Sequence, residues 1–241
     1  MDSAELIKIA ITVIVLVVAI VGHEIMHGLV AYKYGDNTAK NAGRLSVNPI
    51  VHIDIIGTII VPAMLYITNA GFIFGWAKPV PVDMTKVIQK GGYFAAMAVS
   101  LAGIFYNLVF AVMASIIFVN YFPVEILTQI LNENPGASTL GAVHYVISNL
   151  VQKDPLLYFL GLSLIINLLL AVFNLLPIPA FDGAQFLTYL SFQLKLNKIG
   201  EMYIRLAPYG MFIVLAIFLV GPLQKILIFE PLDWLMSQLL L

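Results

Sequence analysis

The chain has 241 residues, of which 61% are apolar and only 10% are charged, and its mean hydropathy is +0.98. Soluble domains are nearer to half apolar and about one quarter charged, so this composition excludes a water-soluble globule and predicts a membrane protein. The net charge of −1 excludes a nucleic-acid-binding surface, and the absence of cysteine excludes disulfides, thiolate metal sites and a cysteine nucleophile.

Long apolar runs predict about four full transmembrane helices, because a helix needs roughly 20 apolar residues to cross a bilayer. The predicted spans are residues 6–32, 94–119, 156–176 and 204–229. We therefore expect an all-α polytopic membrane protein with a single integral-membrane domain over residues 1–241. Its core would lie in residues 6–195, and a C-terminal helix with an amphipathic tail would follow in residues 204–241.

Shorter segments lie between these spans. Residues 53–76 are apolar but interrupted by glycines and a proline, which favours a re-entrant segment over a short spanning one. Residues 184–195 are expected to form a half-helix. Alternation of polar and apolar residues at 43–48, and of prolines at 78–83, predicts small membrane-associated β-strands.

The distribution of basic residues predicts the orientation in the membrane. Loops 33–52, 77–92 and 195–205 each carry three Lys or Arg, whereas loop 121–155 carries one. Positively charged loops stay on the cytoplasmic side, and a re-entrant segment 53–76 would place all three basic loops on that face. We therefore expect a multi-pass protein of the cell membrane, with its N-terminus outside.

The first span contains a motif with metal-binding spacing. His23-Glu24-Ile25-Met26-His27 is an HExxH sequence, in which two histidines at i and i+4 share one helix face and can bind one cation. Glu24 lies about 100° around the helix axis from His23, so it can reach a metal-bound water rather than the metal itself. Ionisable groups inside a membrane are costly without a partner, which favours a metal site over a pair of hydrogen-bonded core histidines.

A catalytic zinc takes three protein ligands and leaves one position open. The candidates for the third ligand at a suitable depth are Asp182, Asp54 and His52. Asp182 follows two helix-breaking prolines, which would present its carboxylate from an irregular backbone; it could otherwise cap the half-helix. His52 and Asp54 could instead mark the point where the chain re-enters the bilayer, and His52 could also support the ligands by hydrogen bonding.

These motifs together resemble the site-2 protease family of intramembrane zinc metalloproteases. HEIMH at 23–27 is similar to the first motif of that family and NLLPIPAFDG at 174–183 to its second. AYKYGD (31–36), GRLSVNP (43–49), HIDIIGT (52–58) and GWAKPVPVD (75–83) resemble its compact prokaryotic branch, which has no PDZ or CBS modules.

The resemblance implies that His23, His27 and Asp182 are the ligands of one Zn²⁺ and that Glu24 is the catalytic glutamate. The activity implied is hydrolysis of peptide bonds in transmembrane substrates within the lipid bilayer, at a site nearer the cytoplasmic face. Asn174 and Asn107 could donate hydrogen bonds to substrate or oxyanion, or join helices. Gly103 is expected to be a close-packing position.

Other functions stay open at the level of the sequence. A zinc CAAX-type protease would share only the first motif and would need a downstream Glu ligand. A metal-ion transporter would show internal repeats, whereas this chain shows one compact site. An inactive helix-binding scaffold would not need the HExxH motif together with Asp182. The oligomeric state cannot be derived from the sequence.

Overall fold

The computed structural model describes residues 3–68, 75–150 and 153–241. The α-helices there are α1 (Ser3–Lys33), α2 (Thr38–Asn41), α3 (Val61–Ile67), α4 (Met84–Tyr121), α5 (Glu125–Glu133), α6 (Thr139–Leu150), α7 (Pro155–Leu175), α8 (Asp182–Gln193), α9 (Asn197–Leu206), α10 (Gly210–Leu219), α11 (Gly221–Gln224) and α12 (Glu230–Leu240). Turns of 3₁₀-helix occupy Pro49–His52 and Ala207–Tyr209, and π-helical turns occupy Ile55–Ile60 and Lys225–Phe229.

Four of the described helical stretches are long and apolar enough to cross a membrane: Glu5–Lys33, Met84–Tyr121, Pro155–Leu175 and Asn197–Leu219. The predicted all-helical fold with four candidate membrane spans is thereby confirmed for the described residues. The last stretch ends well before the predicted 204–229, because Val220 is extended (φ −111°, ψ 92°) and Pro222 lies in the first turn of a new short helix.

The predicted β-strands at 43–48 and 78–83 are wrong, since no strand forms in the part of the chain that the structure describes. Residues 78–83 form no regular secondary structure, and Pro79 and Pro81 have no N–H to donate to a ladder. Main-chain groups of the other residues in this stretch form hydrogen bonds mainly with side chains. Arg44, for example, donates to the carbonyl of Lys78 at 2.6 Å.

The apolar segment after the first basic loop is short. The π-helical turn Ile55–Ile60 and α3 continue one another and measure about 20 Å at 1.5 Å per residue, less than the roughly 30 Å of a hydrocarbon core. The Trp76 N–H then donates to the Gly57 carbonyl at 3.1 Å, so the chain returns to the beginning of this segment. This path is what a re-entrant segment needs, although part of the predicted range (69–74) lies outside the described residues.

The chain divides into two compact units. The first unit comprises Met1–Ala19, Ile104–Leu176 and Val220–Leu241. Within it α6 packs on α7, and α12 contacts both helices. Its largest buried side chains are Phe118, Leu127, Ile147, Leu164, Leu232 and Met236.

The second unit comprises Ile20–Gly103 and Pro177–Leu219. In it α8 packs on α9. The last turns of α1 meet the first half of α4 through small buried side chains: Ala31, Val87, Ala95 and Val99. Small residues let two helix backbones approach closely, which brings the HExxH turn of α1 near α4.

A buried carboxylate fastens the extended segment to the end of α1. Asp36, which is 0% exposed, accepts hydrogen bonds at Oδ1 from the N–H and the hydroxyl of Thr38. Its Oδ2 accepts from the Asp83 N–H at 2.7 Å. Burial alone would raise the pKa of Asp36, but these hydrogen bonds outweigh it and hold the pKa below the ordinary 3.8. The stabilisation is therefore present above pH 3.8 and is lost as the pH falls through the lowered folded-state pKa.

Replacing Asp36 by Asn should destabilise the fold at neutral pH. The amide nitrogen of Asn would face a backbone N–H that now has a carboxylate acceptor, and a lost bond of this kind costs about 1–3 kcal/mol. Thermal unfolding of the purified protein in detergent measures the effect. As a matched acid-to-amide control, Glu201→Gln breaks an exposed pair with Arg205 and should leave the melting temperature nearly unchanged. Equal melting temperatures for the two variants would show that the hydrogen bonds of the Asp36 carboxylate do not stabilise the fold.

Candidate active site

Three ligand-type side chains converge in the second unit. His23 and His27 lie one turn apart near the C-terminal end of α1, and Asp182 is the first residue of α8. Asp182 Oδ2 lies 3.0 Å from His23 Nε2 and 3.2 Å from His27 Nε2, and the two Nε2 atoms are 3.1 Å apart. Among the described residues, no other set of three His, Asp or Glu side chains could share one ion.

These distances fit a tetrahedral cation site. Ligand bonds of 2.0–2.1 Å at tetrahedral angles place neighbouring donor atoms about 3.3 Å apart, close to the observed triangle. Asp182 Oδ2 is buried and receives no well-aligned hydrogen bond, although both rings are near it. Buried carboxylate oxygens need a partner, and a cation at the centre of the triangle would supply one.

The proton on His27 is fixed by the main chain. His27 Nδ1 lies 2.7 Å from the carbonyl oxygen of Val99 on α4. A carbonyl can only accept, so Nδ1 carries a hydrogen, and in the neutral ring the lone pair of Nε2 would point at the triangle. This is the usual arrangement of a metal-binding histidine, whose second nitrogen donates to a carbonyl or carboxylate.

The His23 ring packs against α4 at Gly103, which has no side chain. A Cβ built on Gly103 would lie 2.5 Å from Cε1 and Nε2 of the His23 ring. The ring therefore packs directly against the backbone of α4. This confirms the expectation that Gly103 is a close-packing position, and it adds that the packed group is a candidate metal ligand.

Glu24 faces a cavity next to the triangle. The cavity has a volume of about 240 Å³ and is lined by Glu24, His27, Pro79, Val80, Val82, Met84, Val99, Ser100, Asp182 and Gln185. Glu24 Oε2 accepts a hydrogen bond from the Val80 N–H at 2.8 Å. The carboxylates of Glu24 and Asp182 and the imidazole of His27 thus border one space in which a water and a peptide carbonyl could meet.

The other predicted site residues have different surroundings. Asn107, in the first unit, donates to the carbonyl of Ala19 at 3.2 Å and to Oδ1 of Asn167 at 2.9 Å. Asn174 donates to the carbonyl of Leu170 at 2.9 Å, within its own helix. These are helix-joining and intrahelical contacts, and a role of either asparagine toward substrate or oxyanion stays a prediction.

His52 and Asp54, the alternative third ligands, are also engaged elsewhere. His52 is buried and donates from Nε2 to the Ser46 carbonyl at 2.9 Å. Asp54 caps the π-helical turn by accepting the Gly57 N–H at 2.7 Å. Neither belongs to the described triangle, and the supporting role suggested for His52 stays untested.

Sequence reasoning missed Val80 and Val99 because each contributes a main-chain group. The identity of a valine side chain carries no signal for a carbonyl acceptor or an N–H donor. The two prolines that flank Val80 are the one available indication, since they leave it as the single N–H donor of the Pro79–Pro81 stretch.

Replacing Gly103 by Ala should weaken metal binding. The new methyl would displace the His23 ring, and loss of a supporting contact around a metal ligand typically costs 10–100-fold in affinity. Competition with a fluorescent chelator during zinc titration of the purified protein measures this loss. Gly221→Ala is the control, since nothing lies within 4 Å of a Cβ there. Wild-type zinc affinity in Gly103→Ala would show that the close packing does not hold the ring.

Comparison with known proteins gives two matches. The family model described as Peptidase family M50 matches residues 11–220. The Bacillus subtilis (strain 168) protein named "Putative zinc metalloprotease YwhC" is 37% identical over 171 residues, which is 71% of this chain and 64% of that protein, so the chain spans less than two thirds of the relative. No solved structure matches significantly. Because the family model covers most of the chain, the protein belongs to peptidase family M50, the site-2 protease family.

Proposed function

We propose that this chain is an intramembrane zinc metalloprotease that hydrolyses peptide bonds in or near transmembrane segments of protein substrates. The observation that carries the proposal is the triangle of His23, His27 and Asp182 with Glu24 beside it on one cavity. Membership of family M50 and the name of the Bacillus subtilis relative support zinc as the metal.

The ligand set has the composition of a catalytic zinc site. Two imidazoles and one carboxylate provide three protein ligands, so a bound Zn²⁺ would keep one position for the reaction. Zinc in this position supplies a Lewis acid that polarises a peptide carbonyl and acidifies water. We assign one ion per chain, because the described residues form a single such triangle.

Glu24 is assigned the role of general base and acid. Its carboxylate lines the same cavity as His27 and Asp182, so it can accept the proton of the attacking water and pass it to the leaving amine. Neither Asn107 nor Asn174 is required in this scheme, and a contribution of either to the oxyanion is kept as a secondary proposal.

The substrate must present an extended peptide. A peptide bond inside a helix is shielded by its own hydrogen bonds, so a transmembrane segment has to unwind locally before a water can attack it. The cavity wall at residues 79–84 has no regular secondary structure until α4 begins at Met84, which suits a stretched chain alongside it.

The position of the site along α1 favours the cytoplasmic face. His27 lies about 9 Å from Lys33 at the end of α1, at 1.5 Å per residue. The loops that follow α1 and precede α4 are the basic ones, which belong on the cytoplasmic side. We therefore place the site near that face of the cell membrane and the N-terminus outside.

Glu24→Gln should abolish cleavage while keeping the metal. The amide preserves the shape of the side chain but cannot accept the proton, and a general base contributes roughly 10²–10⁴-fold to the rate. The measurement is cleavage of a tagged single-span reporter by purified, zinc-loaded protein, with zinc content determined on the same sample. Wild-type cleavage by Glu24→Gln would exclude this mechanism.

Asp182→Ala should remove bound zinc. Two histidines alone leave the ion without the third protein ligand of a catalytic site. Elemental analysis after dialysis against a weak chelator should find wild-type zinc in the exposed-acid control Glu133→Ala and a large loss in Asp182→Ala. Full zinc occupancy without Asp182 would redirect the third ligand to His52 or Asp54.

A further inference from the structure

Part of the cavity wall is a stretch of main chain that includes Pro79, Val80 and Val82. Residues 75–83 have no helical or strand structure, and Pro79 and Pro81 flank Val80. Because proline has no N–H, Val80 holds the one amide hydrogen of residues 79–81. That N–H donates to Oε2 of Glu24 at 2.8 Å.

The stretch is tethered on both sides of this contact. The Lys78 N–H donates to the His52 carbonyl at 2.9 Å, and the Lys78 carbonyl accepts from Arg44 at 2.6 Å. On the other side, the Asp83 N–H donates to the buried Asp36 carboxylate at 2.7 Å. Val80 is therefore fixed between two anchored points, and its N–H has little freedom to follow a moving side chain.

The two oxygens of Glu24 are not equivalent. Oε2 receives the Val80 N–H. Oε1 receives no hydrogen bond from the described residues, and it is not buried. It is therefore open to the cavity that Glu24 lines. One oxygen is held and the other is available beside His27 and Asp182.

We propose that the Val80 N–H is a positioning group for Glu24: by holding Oε2, it presents Oε1 to the water and peptide in the cavity. This inference rests on the proposed proteolytic function and adds the group that orients its base. An unanchored Glu has three rotatable bonds and would sample many orientations, whereas proton transfer needs one of them within hydrogen-bonding distance of the water.

The flanking prolines fit this role. Each fixes its own φ near −65°, and each restricts the preceding residue to extended conformations, so Val80 is kept extended by its sequence neighbours. They also remove the adjacent N–H groups that could compete for Glu24. The Pro-Val-Pro sequence therefore provides a single donor in a stiff backbone.

The variant that tests this is Val80→Pro, compared with Val80→Ala. Proline suits the extended backbone but lacks the N–H, whereas alanine shortens the side chain and keeps it. With the tagged single-span reporter, kcat of Val80→Pro should be about 10–100-fold below that of Val80→Ala, less than the loss of a whole general base. KM should differ by less than about threefold, and both variants should retain zinc, because the contact acts on the base alone.

Equal kcat for the two variants with zinc retained would overturn the proposal. A higher kcat for Val80→Pro would also overturn it, since the contact would then hold Glu24 away from the reaction. If Val80→Pro does not fold, amide hydrogen exchange decides the question in the otherwise intact protein.

In that experiment, Val80 is the only exchangeable amide between residues 79 and 81. Glu24→Ala should speed its exchange by about tenfold or more, and Glu24→Gln, which keeps an acceptor oxygen, should do so less. The Lys78 amide, bound to the His52 carbonyl, is the internal control and should keep its rate. Unchanged exchange at Val80 would overturn the proposal. Protection of Val80 in a protein that cleaves no reporter would instead count against the proteolytic function alone.

Discussion

The arrangement of the second unit depends on the burial of one carboxylate. Moving a charge out of water costs several kcal/mol unless an opposite charge or a cation meets it. Asp182 enters an apolar protein at the start of α8, and both histidines of the HExxH turn meet its Oδ2. Three electron-rich atoms at such short distances repel one another unless a cation or protons lie between them. The triangle is thus a candidate metal site.

Helix α4 orients the donor atoms of α1. It offers the carbonyl of Val99 to one imidazole and the bare backbone at Gly103 to the other, one turn apart on the same helix. The close approach that both contacts need comes from small side chains such as Ala31 and Ala95. Helix packing and metal geometry are therefore linked, because a substitution that separates α1 from α4 also removes the contacts that orient His23 and His27.

Much of the site could be derived from the sequence, because its chemistry lies in side chains with fixed spacing. His23 and His27 share a face for any helical first span, and the prolines before Asp182 indicate an irregular backbone that can present a carboxylate. The strand predicted at 78–83 was wrong because its contacts come from side chains that are distant in the sequence. The prolines of 78–83 were interpreted as marks of an edge strand, whereas Glu24, Asp36 and Arg44 bind that stretch with their side chains. Such long-range pairings leave no periodic pattern in a sequence.

The contacts that the sequence could not reveal are made by the main chain. The Val99 carbonyl is present whatever side chain occupies position 99, and the Val80 N–H is present for every residue except proline. The two contacts therefore do not depend on the chemistry of these side chains, although the buried Val99 side chain must still fit between α1 and α4. Residue conservation reports on side chains, so a main-chain group that aims a reactive side chain leaves no signal of its own in it; such a group is passed on through the shape of the backbone.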